Sequence, residues 1–182
     1  MEAKAAMLPY LTLEVYADGA CSPNPGKGGT GYILRVNQPF MEITGSEGYY
    51  DTTNNRMEML AALKGLEKAK EYLSTLASAK EYKKIRVISD SSYLCSGFTK
   101  KWIRNWQTNN WLTSEDRPVK NVDLWEEFLR LEKEFKDTYN IRLHFIHIPG
   151  HQGHFYNEKC DRLAREARQS DNLAHDFVYE GM

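Results

Sequence analysis

What most constrains this chain is the order in which its hydrophobic periods occur. Leu11, Leu13 and Val15 alternate with Thr12, Glu14 and Tyr16, a strand period that Asp18-Gly19 closes. Residues 21–31 hold Pro23, Pro25, Gly26, Gly28 and Gly29 together with Asn24, and read as a loop leading into a second strand over 32–36. A turn at Asn37-Gln38-Pro39 leads to a third strand over 41–50, so the chain opens as an antiparallel meander. The period then changes. Capping residues at 52–55 precede Met59, Leu63, Leu66, Ala69 and Leu73 at helical spacing. A basic stretch over 80–86 reads as a solvated loop. The short apolar run Ile85, Val87 and Ile88 follows, bounded by Asp90-Ser91, and suits a buried parallel strand reached by a helix crossover.

Beyond it, 91–98 reads as a short helix or turn, and 100–111 is rich in tryptophan and basic residues. Leu124, Phe128, Leu131 and Phe135 form a helical stripe. Leu143 and Phe145 mark a strand ending at Pro149-Gly150, and a last helix spans 157–169 with Leu163, Ala164 and Ala167 on its apolar side. Residues 170–182 carry no clear pattern. The order implies an α/β fold: a five-stranded mixed sheet, antiparallel meander plus parallel strands, flanked by helices. The expected division is an N-terminal extension over 1–10, one catalytic domain over 11–169 and a C-terminal tail over 170–182.

The formal net charge is −1, so contact with a polyanion must come from local patches rather than a global field. The cysteines Cys21, Cys95 and Cys160 are widely spaced and suggest no disulfide framework; they read as packing residues in a reducing compartment. Residues 1–10 hold no apolar run of a secretory leader. No stretch approaches the roughly 18 apolar residues that span a membrane, and the expected location is cytoplasmic.

Acidic residues fall at element ends. Asp18 follows the first strand, Asp90 the first strand after the crossover, Glu58 lies near the start of the long helix and Asp161 near the start of the last one. Open α/β sheets collect ligands beyond their strand carboxyl ends. Taken singly, Asp18 also suits a turn, Asp90 a helix cap and Glu58 a helix-dipole partner. Brought together, four carboxylates cannot all stay ionised without a cation. Hard oxygen ligands partly open to water suit Mg²⁺ or Mn²⁺. Two such ions about 4 Å apart can clamp a scissile phosphate, which points to phosphodiester hydrolysis.

Five segments in register make the chain resemble type 1 ribonuclease H. They are Tyr16-Ala17-Asp18-Gly19-Ala20-Cys21 through Gly29, Thr52-Thr53-Asn54-Asn55-Arg56-Met57-Glu58, Ile88-Ser89-Asp90-Ser91, Pro118-Val119-Lys120-Asn121-Val122-Asp123, and Gly150-His151 through Asp161. The resemblance covers most of the chain. It implies an endonuclease that cuts the RNA strand of RNA–DNA hybrids, with Asp18, Glu58, Asp90 and Asp161 as ligands of two Mg²⁺ ions, Mn²⁺ being possible. Asp18 would bridge both ions, Asp161 would hold the one that activates water, and Glu58 and Asp90 the one at the leaving group. His151 matches a histidine on a flexible loop, where an imidazole can move protons or help product and metal leave. A zinc reading of His151-x-x-His154 with His147 and Cys160 is disfavoured, because zinc signatures pair ligands at both ends.

The resemblance also assigns substrate contacts. Asn24, Asn54 and Asn55 match residues that meet the groove or backbone. Amides both donate and accept, as a 2′-OH does, although turn or cap chemistry would equally explain them. Trp102 and Trp106, near Lys100, Lys101 and Arg104, match DNA-channel positions on a protruding handle; core packing is the alternative for this i, i+4 pair. Thr53 and Asn121 match a pocket for a DNA phosphate. Three departures stand out: a neutral Gln107-Thr108-Asn109-Asn110 in the handle, Asp51 in place of an arginine, and Ser92 in place of a glutamine. The expected partner is an RNA–DNA hybrid, with no membrane and a monomeric state. Rival readings are a silent binding module on the same fold, another nuclease or strand-transfer enzyme, a zinc-stabilised interaction protein, and a domain of a reverse transcriptase. Met1 close to the domain favours a self-standing protein over the last.

Overall fold

The computed structural model describes residues 11–150 and 153–180. The meander is β1 (Leu11–Cys21), β2 (Gly26–Asn37) and β3 (Phe40–Thr52), paired antiparallel in that order. Helix α1 (Asn54–Ser74) crosses to β4 (Tyr82–Ser89), which lies parallel to β1. Helices α2 (Ser92–Thr99), α3 (Trp102–Thr108) and α4 (Val122–Tyr139) lead to β5 (Arg142–His147), parallel to β4. Helix α5 (Phe155–Arg168), the short strand β6 (Leu173–Ala174) and the single turn α6 (Phe177–Glu180) complete the chain. The sheet order is β5-β4-β1-β2-β3-β6, so the expected five-stranded mixed sheet is present with one short strand added at its edge.

Strand parity assigns the two faces of the sheet. Val15 packs toward Gly65 of α1, while the adjacent Tyr16 stacks on Tyr156 of α5 with ring centroids 4.9 Å apart. The α1 face carries the main core. Its helical stripe is buried as expected, and Trp125, Phe128, Leu131 and Phe135 of α4 close over it without solvent exposure. Each such side chain contributes about 1.5–3 kcal/mol on burial. Thr53 caps α1, its hydroxyl accepting from Arg56 N at 3.4 Å.

Three local expectations need correction. Asp18-Gly19 does not end β1, which runs on to Cys21, and the following loop is only residues 22–25. The glycines of 26–31 belong to β2 because α5 approaches it backbone to backbone. A Cβ on Gly29 would lie 2.1 Å from the Ala164 carbonyl oxygen, and one on Gly31 2.3 Å from that of Cys160. The basic stretch 80–86 is mostly strand, with Tyr82 and Ile85 buried. Finally, residues 170–180 are not patternless in space. β6 pairs with β3 through Gly48↔Leu173 and Tyr49↔Ala174, and Asp176 just after it is buried.

Candidate active site

The sheet itself brings the first two acids together. The last parallel pair between β1 and β4 is Tyr16↔Ile88; Asp18 and Asp90 each lie two residues further along, where the strands no longer pair. Glu58 in the second turn of α1 and Asp161 in α5 approach from the two helices, and all four acids line one open cleft together with Asn54, Arg165 and Arg168. Asp18 is the deepest, only 6% exposed. Close packing on the α1 side fixes it there: a Cβ on Gly19 would sit 2.3 Å from the Glu58 backbone nitrogen.

Each carboxylate already has a local partner. Asp18 Oδ1 accepts from the Gly19 backbone N–H at 2.7 Å. Asp90 Oδ2 accepts from Asn157 Nδ2 at 3.0 Å, and its carbonyl oxygen lies 3.1 Å from His147 Nε2. Glu58 accepts from Asn54 Nδ2 at 2.7 Å and from the Ser91 hydroxyl. Asp161 pairs with Arg165 one turn along α5, with Nε donating to Oδ1 at 2.9 Å.

These partners do not compensate the cluster. Burial, then the charge of Asp90, with Asp161 and Glu58 adding, pushes the Asp18 carboxyl from 3.8 up to about 8. Burial also raises Glu58, with Asp90 adding and the Ser91 and Asn54 bonds opposing. Four carboxylates open to solvent, against the two arginines of the same cleft, form a donor set that fits hard divalent cations. Among the described residues no three His, Cys, Asp or Glu side chains converge on a common centre as they stand.

The remaining expected residues fall into three groups. Asn24, Asn54 and Asn55 gather at the rim, where Asn24 Oδ1 accepts from the Asn54 backbone N–H at 3.1 Å. Thr53 and Asn121 sit on either side of Arg56: Thr53 caps its N–H, and Asn121 Oδ1 accepts from its guanidinium at 3.4 Å. Trp102 and Trp106 stand apart on α3, half-buried, with ring centroids 5.9 Å apart. Both readings of that pair have support: Trp106 also packs on the core ring of Trp125 at 5.6 Å, while Lys100 Nζ lies 5.3 Å from the Trp102 ring. His151 lies outside the described residues.

Sequence reasoning missed four contributors. Arg165 was legible as an i, i+4 partner of Asp161. Ser91 and Asn157 were not, because their roles depend on which helix end meets which acid. Nor was the pairing of Arg56 with Asp176, which lie far apart in the chain. Cys95 and Cys160 are buried packing groups as expected, burial pushing the Cys95 thiol up to about 12 and raising that of Cys160 as well, whereas Cys21 is half-buried with its thiol donating to the Pro23 carbonyl.

Known proteins resemble this chain in sequence and in fold. The ribonuclease H (RNase H) family profile matches residues 11–169. A ribonuclease H of Pseudoalteromonas atlantica is 41% identical over 169 residues, covering 93% of this chain and 98% of the relative. One from Treponema denticola is 45% identical over 165 residues, covering 87% and 98%. Among solved structures, LC11-RNase H1 in complex with RNA/DNA hybrid superposes with a TM-score of 0.57 at 23% identity, covering 85% of this chain and 95% of that one; this likeness speaks to the fold. A profile spanning nearly the whole described chain and relatives above 40% identity leave one assignment: this chain belongs to the ribonuclease H family.

Proposed function

We propose that this protein is a type 1 enzyme that hydrolyses the RNA strand of RNA–DNA hybrids with two divalent cations, Mg²⁺ or Mn²⁺, leaving 5′-phosphate and 3′-hydroxyl ends. The observation that carries the reading is the convergence of four acids on one open cleft, with Asp18 buried deepest and its carboxyl held well above the usual range by burial and by its acidic neighbours. Bound there, the ions would activate the attacking water and stabilise the leaving oxygen. Asp18 would help to hold both ions, Asp161 the one that activates water, and Glu58 and Asp90 the one at the leaving group. Asn157 and Ser91 hold Asp90 and Glu58 in fixed rotamers. His151 would move a proton or ease product release.

Substrate choice follows from the rim. Asn24, Asn54 and Asn55 supply donors and acceptors suited to the shallow groove of a hybrid, where only the RNA strand offers 2′-hydroxyls. Trp102, Trp106 and the nearby Lys100, Lys101 and Arg104 form a surface suited to the DNA backbone. Thr53 and Asn121 would receive a DNA phosphate. The neutral run Gln107 to Asn110 should make the salt dependence of hybrid binding shallower than in relatives with a basic handle, and Asp51 and Ser92 weaken two further contacts. The hybrid present in the LC11-RNase H1 structure supports the same substrate class here. Among the described residues no helix is long and apolar enough to cross a membrane; the proposed setting is a monomer acting in the cytoplasm.

The test is direct. Labelled RNA–DNA hybrid, duplex RNA and duplex DNA are incubated with protein and Mg²⁺. Cleavage confined to the RNA of the hybrid, with 5′-phosphate ends, is expected. Equal cutting of all three substrates would refute the selectivity, and activity retained in EDTA would refute the role of the ions.

A further inference from the structure

The C-terminal segment, unpatterned in sequence, delivers a buried acid to the back of the rim. Asp176 follows β6, whose pairing with β3 fixes where it enters, and it is only 6% exposed. Its Oδ2 accepts from Arg56 Nε at 2.6 Å and from the Thr52 hydroxyl at 2.9 Å, and its Oδ1 from Arg56 Nη2 at 2.8 Å. Arg56 is itself 1% exposed. The other edge of its guanidinium pairs with Asp123, at 3.0 Å from Nη1 and 2.8 Å from Nη2. Two bidentate clamps on adjacent edges, sharing Nη2, fix the plane of the guanidinium.

That plane has one further neighbour. Arg56 Nη1 donates to Asn121 Oδ1 at 3.4 Å. Asn121 occupies the cap position of α4 in a left-handed conformation, φ 59°, yet its side chain makes no capping bond. It has been drawn to Arg56 instead. A guanidinium has only donors, so it must face the amide oxygen and leave the amide NH₂ directed away. Among the described residues that NH₂ makes no hydrogen bond. A phosphate needs donors, and the opposite amide orientation would present it with an oxygen.

We propose that Asp176 is a positioning residue for substrate binding: acting through Arg56, it holds the Asn121 amide with its NH₂ outward, as a donor to a phosphate of the DNA strand. The inference rests on the reading of Thr53 and Asn121 given above, and extends it to a segment lying beyond the family match at 11–169. Asp176 touches neither the four acids nor the rim asparagines, so its influence falls on binding and not on the chemical step.

The experiment compares wild type and Asp176→Asn as full chains, on hybrids whose DNA strand carries a single neutral methylphosphonate linkage moved one position at a time. In wild type, one linkage is expected to stand out, its neutralisation raising KM about tenfold, the loss of a charge-assisted hydrogen bond. In Asp176→Asn, KM for the unmodified hybrid should rise about fivefold with kcat within about twofold, and the special linkage should lose most of its effect. A merely structural role would not erase the penalty at one phosphate. Retention of the full penalty in Asp176→Asn overturns the proposal. If no linkage stands out in wild type, the phosphate reading of Thr53 and Asn121 falls, and the proposal with it. Should Asp176→Asn fail to fold, Arg56→Lys replaces it. Lysine keeps the charge but lacks the planar fork, so the penalty should again vanish, and its persistence would overturn the proposal.

Discussion

Replacing Asp18 with asparagine should abolish turnover and stabilise the metal-free protein. The side chain keeps its shape, and its oxygen can still accept from Gly19 N–H, but the charge is gone. Asp18 titrates at about 8 in the folded protein against 3.8 for an unperturbed group, mainly through burial and the charge of Asp90. The folded state therefore binds this proton more tightly than the unfolded state. Its contribution is fully favourable below pH 4 and is lost as pH rises through 8. At about 1.4 kcal/mol per pH unit, drawing a proton onto Asp18 as the chain folds costs about 2 kcal/mol at pH 5.5 and about 4 kcal/mol at pH 7, relative to a neutral side chain.

Urea unfolding in EDTA, followed by circular dichroism at several pH values, measures this cost. Asp18→Asn should exceed wild type in stability with an unchanged m-value. The gap should be absent near pH 3.5, open through pH 5.5 and widen to pH 8. Adding Mg²⁺ should stabilise wild type and leave the variant nearly unmoved, because only a native site of intact charge binds the ion. A variant less stable than wild type at pH 7, or a gap independent of pH, would refute the account of Asp18 as the site of uncompensated charge.

Two further outcomes follow from contacts around the cleft. Gly31→Ala should lose about 1–3 kcal/mol in the same unfolding assay, since its Cβ meets the Cys160 carbonyl oxygen at 2.3 Å; unchanged stability would show that α5 can back away. Arg165→Ala should strengthen Mn²⁺ binding about two- to fivefold by calorimetry, because the guanidinium that competes for Asp161 is removed; the effect is modest because Arg165 is largely solvent-exposed, and weaker binding would mean that Arg165 orients Asp161 rather than competing for it.

Much of this molecule was legible in its sequence because the decisive signals were local. The stripe Met59, Leu63, Leu66, Ala69 and Leu73 names its own buried face, and Ile85, Val87 and Ile88 mark a strand buried inside the sheet, with Arg86 between them turned to Glu14. The four acids were legible through their motifs, while their shared cleft needed the register Tyr16↔Ile88. Two of the failures share a cause. Glycine is read locally as a turn, yet Gly29 and Gly31 are strand residues made small by a helix that lies more than a hundred residues away in the chain. Asp176 was invisible for the same reason: nothing near it announces that Arg56 waits for it. A two-residue strand such as β6 has no period to detect.

The cleft and the core are two sides of one energetic balance. Ionised Asp18 alone costs as much as two large buried side chains contribute, so a chain of marginal stability can hold this cluster only on a well-packed frame. The frame is asymmetric in a way that suits the task. On the α1 face, Trp125, Phe128 and Phe135 fill the space behind the sheet, whereas on the α5 face glycines bring the helix backbone hard against β2. Rigid contact on both faces leaves the acids no route apart, and their repulsion is relieved only by protons or by a cation. Above pH 8 protons no longer serve. The acids thus answer to divalent ions because their local partners, Arg165 and the Asn157, Asn54, Ser91 and Gly19 donors, leave the group short of charge balance, and softening either face should weaken ion binding before it alters a single ligand.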